Sequence, residues 1–437
     1  MLDAKKTKEN FKFSMLDGAF ASSMIGFTQD YFTPFLLLLG ATAKHVGMLS
    51  ALPNLFASLS QLKSADIAQK FNSRKKVINA LVLLQAFMLL PIGAAALLRI
   101  TNPYYFIGLI VLFTSFGALA NPAWGSLMSD FIPDKERGAY FGYRNKVLGF
   151  IVVGAAFFAG LILNTAKRFN VYWGFAIIFF TAFAFRIISW YFLRKMHEPL
   201  LIYKKEDTFN FVDFISRIRE SNFAKFVLFV SAMSFSVNLA SPFFSVFMLR
   251  DLRFSYLLYT FITIAATLTI FIMMQRWGAH ADKVGNLKII KITSPLIGII
   301  PLFWIFNHHP GFLILAQIFS GFMWAGFNLC TSNFIYDAVS PEKRTRCIAY
   351  FNVLNGLALC CGALLGGFLV SWLPPLFGYK ILTLFLISSI LRVAVAVYIP
   401  KRLKEVRSVD KVKSNDLFFS VIGIRPMLGV ERKTIRY

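Results

Sequence analysis

Of the 21 Asp and Glu residues in the chain, nearly all fall in charged stretches between apolar runs, so the exceptions are informative. Asp30 lies about 17 residues into an apolar run that opens near Phe13, deeper than the side chain of an acid can reach from the interface. A charged group at mid-membrane costs roughly 2.5–3.5 kcal/mol on insertion scales, and it normally faces protein or a water-filled cavity. Such a carboxyl could bind a cargo or carry a coupling proton. The plainer alternative is a hydrogen-bonded acid that only packs helices together. The surrounding sequence recurs: Asp30-Tyr-Phe-Thr-Pro34-Phe35 matches Asn238-Leu-Ala-Ser-Pro242-Phe243. Asp17 sits about one turn into the same run and is expected to reach the interface. Arg186 and Arg392 lie inside apolar runs, about eight residues from one end. Arg can snorkel part of that depth, and a structural use is expected for both.

A second polar set is duplicated outright. Asn121, Asp130, Arg137, Asn145 and Gly149 recur with identical spacing as Asn328, Asp337, Arg344, Asn352 and Gly356. Each copy also places Pro133 or Pro341 and an acid just before its Arg. Five matching types in matching register imply a chain built from two related halves. In each copy one apolar run enters a short charged loop and a second leaves it. A carboxylate at such a helix end can bind basic residues and the free N–H groups of a neighbouring helix start. Asp130 with Arg137, and Asp282 with Arg344 or Arg346, are therefore candidate latches, the alternative being solvated loop charges.

The elements that must position these residues follow from composition. Hydrophobic residues make up 57% of the sequence and charged ones 15%, which is not the balance of a soluble chain. A helical span needs about 20 apolar residues, and twelve such runs are predicted. Six lie at about 13–39, 45–62, 77–98, 103–128, 143–165 and 171–193, and six at about 223–249, 255–274, 289–306, 311–334, 347–373 and 377–399. The ninth is the weakest, being short and holding Pro295 and Pro301. The predicted organisation is a tail (1–12), a six-helix bundle (13–193), a central linker (194–222) whose Phe211, Phe214, Ile215 and Ile218 have the spacing of a surface-lying helix, a second six-helix bundle (223–399) and a basic tail (400–437).

The net charge of +25 would suggest nucleic acid in a soluble protein, but its placement reads as topology. Loops on one side hold only Lys44, Arg99, Lys167, Arg168, Arg250, Arg253 and Lys380, while the termini and the remaining loops hold nearly all other basic residues. The positive-inside bias then puts both termini in the cytoplasm of a multi-pass cell-membrane protein, with no nucleic-acid partner. The four cysteines fall in or beside apolar runs with no metal-ligand spacing. No phosphate-binding Walker loop and no catalytic constellation is present, so neither cofactor nor enzyme activity is expected.

The loop Gly278-Ala-His-Ala-Asp282-Lys283-Val-Gly285-Asn-Leu-Lys288 resembles the signature G-x-x-x-D-[RK]-x-G-x-[RK]-[RK] of the major facilitator superfamily. The equivalent first-half loop keeps the basic run Arg74-Lys75-Lys76 but has Gln69 in the acid's place, with Asp66 one helical turn earlier. The resemblance spans about residues 13–399. It implies an all-α integral membrane fold of twelve transmembrane helices in two pseudo-symmetric six-helix bundles, and a monomeric secondary transporter of small molecules working by alternating access. It also makes the first and seventh spans symmetry mates lining a central cavity, so that Asp30 and Asn238 face one another there. Asn121 and Trp124, with Gln317, Trp324 and Asn328, fall on cavity-lining helices of the family and are candidate ligand contacts. Gly278, Asp282 and Gly285 become gate residues, with Asp66, Arg74, Asp130, Arg137, Asp337, Arg344 and Arg346. Proton coupling through Asp30 is the expected drive. Aromatic richness leans toward efflux of amphipathic compounds over uptake of small polar solutes. The rival is a transporter-shaped scramblase or receptor.

Overall fold

Apolar runs that enter lipid must satisfy their backbone within themselves, and helices do so. The computed structural model describes residues 4–61, 71, 73–129, 134–198, 221–339, 341–407, 417, 420 and 421, with side chains 4–5, 129, 134–139 and 341–346 left aside. Among these the only strand-like feature is an isolated bridge between Leu376 and Tyr379.

The first half comprises α1 (Ala4–Thr28), α2 (Phe32–Leu38), α3 (Ala43–Gln61), α4 (Arg74–Leu97), α5 (Pro103–Ser129), α6 (Asp134–Ala166) and α7 (Val171–Lys195). The second comprises α8 (Asn222–Asn238), α9 (Phe243–Val246) running into a π-helical turn (Phe247–Asp251), α10 (Tyr256–Val284), α11 (Asn286–Phe306), α12 (Pro310–Ala338), α13 (Pro341–Trp372) and α14 (Lys380–Tyr398). Ten of the described segments are long and apolar enough to cross a membrane. With α1–α2 and α3 they make twelve transmembrane helices. The ninth span, α11, is helical throughout despite Pro295 and Pro301.

The first and seventh spans are each broken, and the repeated sequence lies at both breaks. Pro34 and Pro242 have no N–H, so the carbonyls four residues earlier, on Asp30 and Asn238, have no helical donor. The chain leaves the helix at residues 29–31 in one copy and 239–242 in the other.

Two compact units result. One contains Met1–Lys205, Asn238–Ile264 and Leu359–Pro374; the other contains Glu206–Val237, Ala265–Ala358 and Pro375–Tyr437. In the first, α4 packs on α5 and α7, α1 on α6 and α7, and α3 on α5. In the second, α11 packs on α12 and α14. The third span of each half thus holds the fourth and sixth of that half. Lipid tails are as apolar as leucine, so this packing rests on van der Waals contact and interhelical hydrogen bonds. Phenylalanine supplies much of it. Phe35 lies 4.9 Å from Phe106 and 5.0 Å from Phe175, and in the second unit Phe226 stacks on Phe334 at 4.2 Å. Leu417 and Val421 of the C-terminal tail are buried against the second unit's core.

Candidate functional site

At the α1–α2 break, the Asp30 carbonyl that Pro34 leaves without a donor accepts the Tyr259 hydroxyl at 2.8 Å. Next to it the Tyr31 hydroxyl donates to the Ala156 carbonyl and lies 2.9 Å from Thr260 Oγ1. The half-buried Asp30 carboxylate has no hydrogen bond or ion pair among the described residues. At the second break, Asn238 Oδ1 is 3.5 Å from Ser50 Oγ on α3.

The first unit holds an open cavity of about 760 Å³ walled largely by α1, α3, α4 and α5. Asn121 and Trp124 line it, as do Gln29, Thr33, Ser50, Asn54 and Thr114. Asp30 is not among its lining residues, although its neighbours Gln29, Phe32 and Thr33 are. The charged groups of the wall are instead Asp17, Arg144 and Arg186.

Asp17 is buried within the protein. Helix α1 starts at Ala4, so Asp17 lies roughly three and a half turns inside it, where it is 4% exposed. Its carboxylate accepts the Ser189 hydroxyl at 2.6 Å, and Ser189 Oγ accepts Arg186 Nη1 at 3.0 Å. Arg186 also donates to Gln85 Oε1 from Nε (2.9 Å) and Nη2 (2.6 Å). This arginine is buried and paired across helices, not snorkelling. A Cβ on Gly117 would collide with the Gln85 amide, and one on Gly18 with the Arg144 guanidinium; these glycines make room for the polar cluster. Arg144, at the edge of the predicted 143–165 span, is buried with its guanidinium over the Trp124 ring, 4.5 Å from the centroid.

Arg392, the repeat mate of Arg186, is used differently. Its Nη2 donates to the Val237 carbonyl at 3.1 Å and its Nε to Ser388 Oγ at 3.0 Å, while Ser388 donates to the Ser236 carbonyl at 2.6 Å. The cation therefore caps the C-terminal end of α8, where the helix dipole favours positive charge. The other candidate contacts belong to α12 in the second unit. There Gln317 and Trp324 are half-buried, Trp324 lies edge-on to Phe327 at 5.5 Å, and Asn328 is exposed.

In the loop between α10 and α11, Gly285 adopts φ +86°, a left-handed conformation that glycine takes without strain, and so allows the turn between the two helices. Gly278 packs beside Leu329. Asp282 and Asp337 meet one cation, Arg407. Its Nη1 is 3.2 Å from Asp282 Oδ1, and its Nε and Nη2 reach the two oxygens of Asp337 at 2.7 and 3.0 Å. The hydrogen bonds it donates to Asp337 hold the Arg407 guanidinium above its usual range. Asn286 Nδ2 donates to Asp337 Oδ2 at 2.7 Å. The side chains of Arg137, Arg344 and Arg346 lie outside the described residues, as do Asp66, Asp130 and the surface-lying linker helix. Arg74 is buried; its backbone N–H donates to Glu198 Oε1 at 2.7 Å and its Nη1 to Ser126 Oγ at 2.9 Å. Glu198 thereby caps the start of α4, and Glu405 does the same for α11 by accepting the Leu287 N–H at 2.7 Å. Composition and loop motifs missed Asp17, Arg144, Glu198, Glu405 and Arg407 as working residues. One signal was present: the offset that pairs Asn121 with Asn328 also pairs Glu198 with Glu405.

Residues 18–306 and 224–430 match the Major Facilitator Superfamily. The chain belongs to this superfamily. No curated protein matches it. Among solved structures of the same fold, the nucleoside transporter NupG superposes with a TM-score of 0.69 at 15% identity, over 91% of this chain and 100% of that one. A D-xylose–proton symporter gives 0.67 at 13% identity, over 92% and 98%. A bacterial homologue of the iron transporter ferroportin, in its inward-facing state, gives 0.65 at 12% identity, over 92% and 100%. At these identities the likeness establishes the fold, and with it a multi-pass membrane protein of the superfamily's transporter architecture.

Proposed function

We propose that the protein is a monomeric secondary transporter that moves a small polar solute by alternating access, with the proton as coupling ion and both termini on the cytoplasmic face of the cell membrane. The observation that carries this reading is the wall of the 760 Å³ cavity, where amides, hydroxyls and three charged side chains outnumber aromatic rings. A site of that size suits a small ligand, and such a lining sets hydrogen-bonding groups among apolar side chains. Efflux of amphipathic compounds is the weaker reading, because the many phenylalanines serve the packed cores. The D-xylose–proton symporter is a fold-level precedent for polar cargo moved with protons. Asp30 is the proposed proton carrier: it stands at a helix break with its carboxylate unclaimed.

Reconstitution in liposomes tests both parts. An imposed inward proton gradient is expected to drive accumulation of a polar solute above its external concentration, and Asp30→Asn to abolish the pH dependence while leaving passive equilibration. If the Asn variant keeps normal rate and normal pH dependence, Asp30 is not the coupling group. Equilibration of labelled lipid with no solute accumulation would establish a scramblase instead.

A further inference from the structure

The first unit's cavity holds two arginines and one aspartate, and they are unequally served. Asp17, Ser189, Arg186 and Gln85 close a network in which every charged group has short partners. Arg144 shares the Asp17 charge but takes no part in those hydrogen bonds. It is 8% exposed, and its contacts are the Ser14 carbonyl at 3.3 Å, the Tyr140 hydroxyl, which itself donates to Ser14 Oγ, and the Trp124 ring face. Its Nε has no partner, and neither does the indole Nε1 of Trp124; both atoms are buried. Arginine cannot shed its proton to escape burial, and a single carboxylate, Asp17, serves both Arg144 and Arg186. Two unmatched donors in the wall, on a cluster with one positive charge in excess, describe a receptor for an anion. The guanidinium fork matches the two oxygens of a carboxylate or phosphate. Gly18 keeps open the space that the guanidinium occupies.

We infer that Arg144 and Trp124 bind an anionic group of the cargo, so that the transported solute is an organic acid or phosphate ester whose remaining polar groups meet Asn121 and the hydroxyls of the cavity. This rests on the proposed transport of a small polar solute and narrows it.

The test is binding to the purified full chain, followed by thermal shift and titration calorimetry. The probes are matched pairs: succinate against succinamide, lactate against propanediol, glucose 6-phosphate against glucose, with inorganic phosphate and chloride at equal ionic strength. Acids or phosphate esters are expected to bind in preference to their neutral partners. Arg144→Gln should weaken that binding roughly 10- to 100-fold, as loss of a charge-assisted hydrogen bond does. Arg144→Lys, which keeps the charge, should retain part of it, and Lys44→Gln, an exposed charge outside the cavity, should bind as the unaltered protein does. Equal binding of neutral partners, full binding by Arg144→Gln, equal shifts with chloride, or no response to any acid each overturns the inference. The two readings fail separately. Neutral solutes accumulating in liposomes while acids neither bind nor move would leave transport standing and sink the anion site. Acid binding through Arg144 with no gradient-driven accumulation would do the reverse.

Discussion

Arg186 and Arg392 occupy equivalent positions in the two halves, and each is a buried cation that must be neutralised without water. Arg186 does so through side chains, reaching Asp17 by way of Ser189 and taking Gln85 from a third helix. Arg392 does so through backbone, using the carbonyl end of a broken helix. The consequence differs for mutation. Arg186→Met removes one of the two cations acting on Asp17 and leaves Gln85 Oε1 without its donors, a loss of about 1–3 kcal/mol. Asp17→Asn in the same chain should recover part of that loss, a non-additivity that a double-mutant cycle on detergent-solubilised protein would read. Fully additive effects would mean that Asp17 and Arg186 do not share one network.

At the scale of elements, the two helix breaks determine where polar groups can face inward. Pro34 denies a donor to the Asp30 carbonyl, and Tyr259 from α10 supplies one. Tyr259→Phe should therefore leave that carbonyl unsatisfied and cost about 1–3 kcal/mol. Pro34→Ala restores a main-chain N–H at the position where a continuous helix would donate to it, so the double variant is expected to regain stability while losing the break. A Pro34→Ala change that fails to rescue Tyr259→Phe would show that the hydroxyl is not the substitute donor. The helix starts are handled alike in both halves, by Glu198 on α4 and Glu405 on α11, each arriving just beyond the sixth span of its half. A carboxylate there meets both free N–H groups and the positive end of the helix dipole.

At the scale of the whole molecule, the charged loops hold helix ends together unequally. Asp282 is 78% exposed in its pair with Arg407, whereas Asp337 is 18% exposed and bound at both oxygens. Exposed pairs contribute about 0–1 kcal/mol, and bidentate, partly buried ones more. Asp282→Asn should thus be nearly silent in thermal stability, while Arg407→Ala and Asp337→Asn lower the melting temperature clearly; the opposite order would misplace the anchor. The pH response has a definite sign. Because the folded state holds the Arg407 guanidinium above its unfolded value, its contribution is complete below that unfolded value and fades only as pH climbs through the raised one. Melting of the unaltered protein and of Arg407→Ala should accordingly differ by a constant amount between roughly pH 6 and 9.

Hydropathy alone determined that this chain crosses a membrane, and internal repetition determined that it does so in two related halves. The recurring Pro34 and Pro242 sit at the two breaks, but a missing N–H did not by itself mark them, since Pro295 and Pro301 lie in an unbroken helix. Tertiary structure decided who meets whom. Asp17 finds Ser189 across 172 positions of sequence, Arg74 finds Glu198 across 124, and Arg407 finds Asp282 across 125. It also placed Arg144, at the edge of a predicted span, in a cavity wall, and left Asp30 beside that cavity but off its lining. The division has a physical cause: the cost of putting a group into lipid is paid residue by residue along the helix, whereas neutralising it depends on which helix faces it from across the fold.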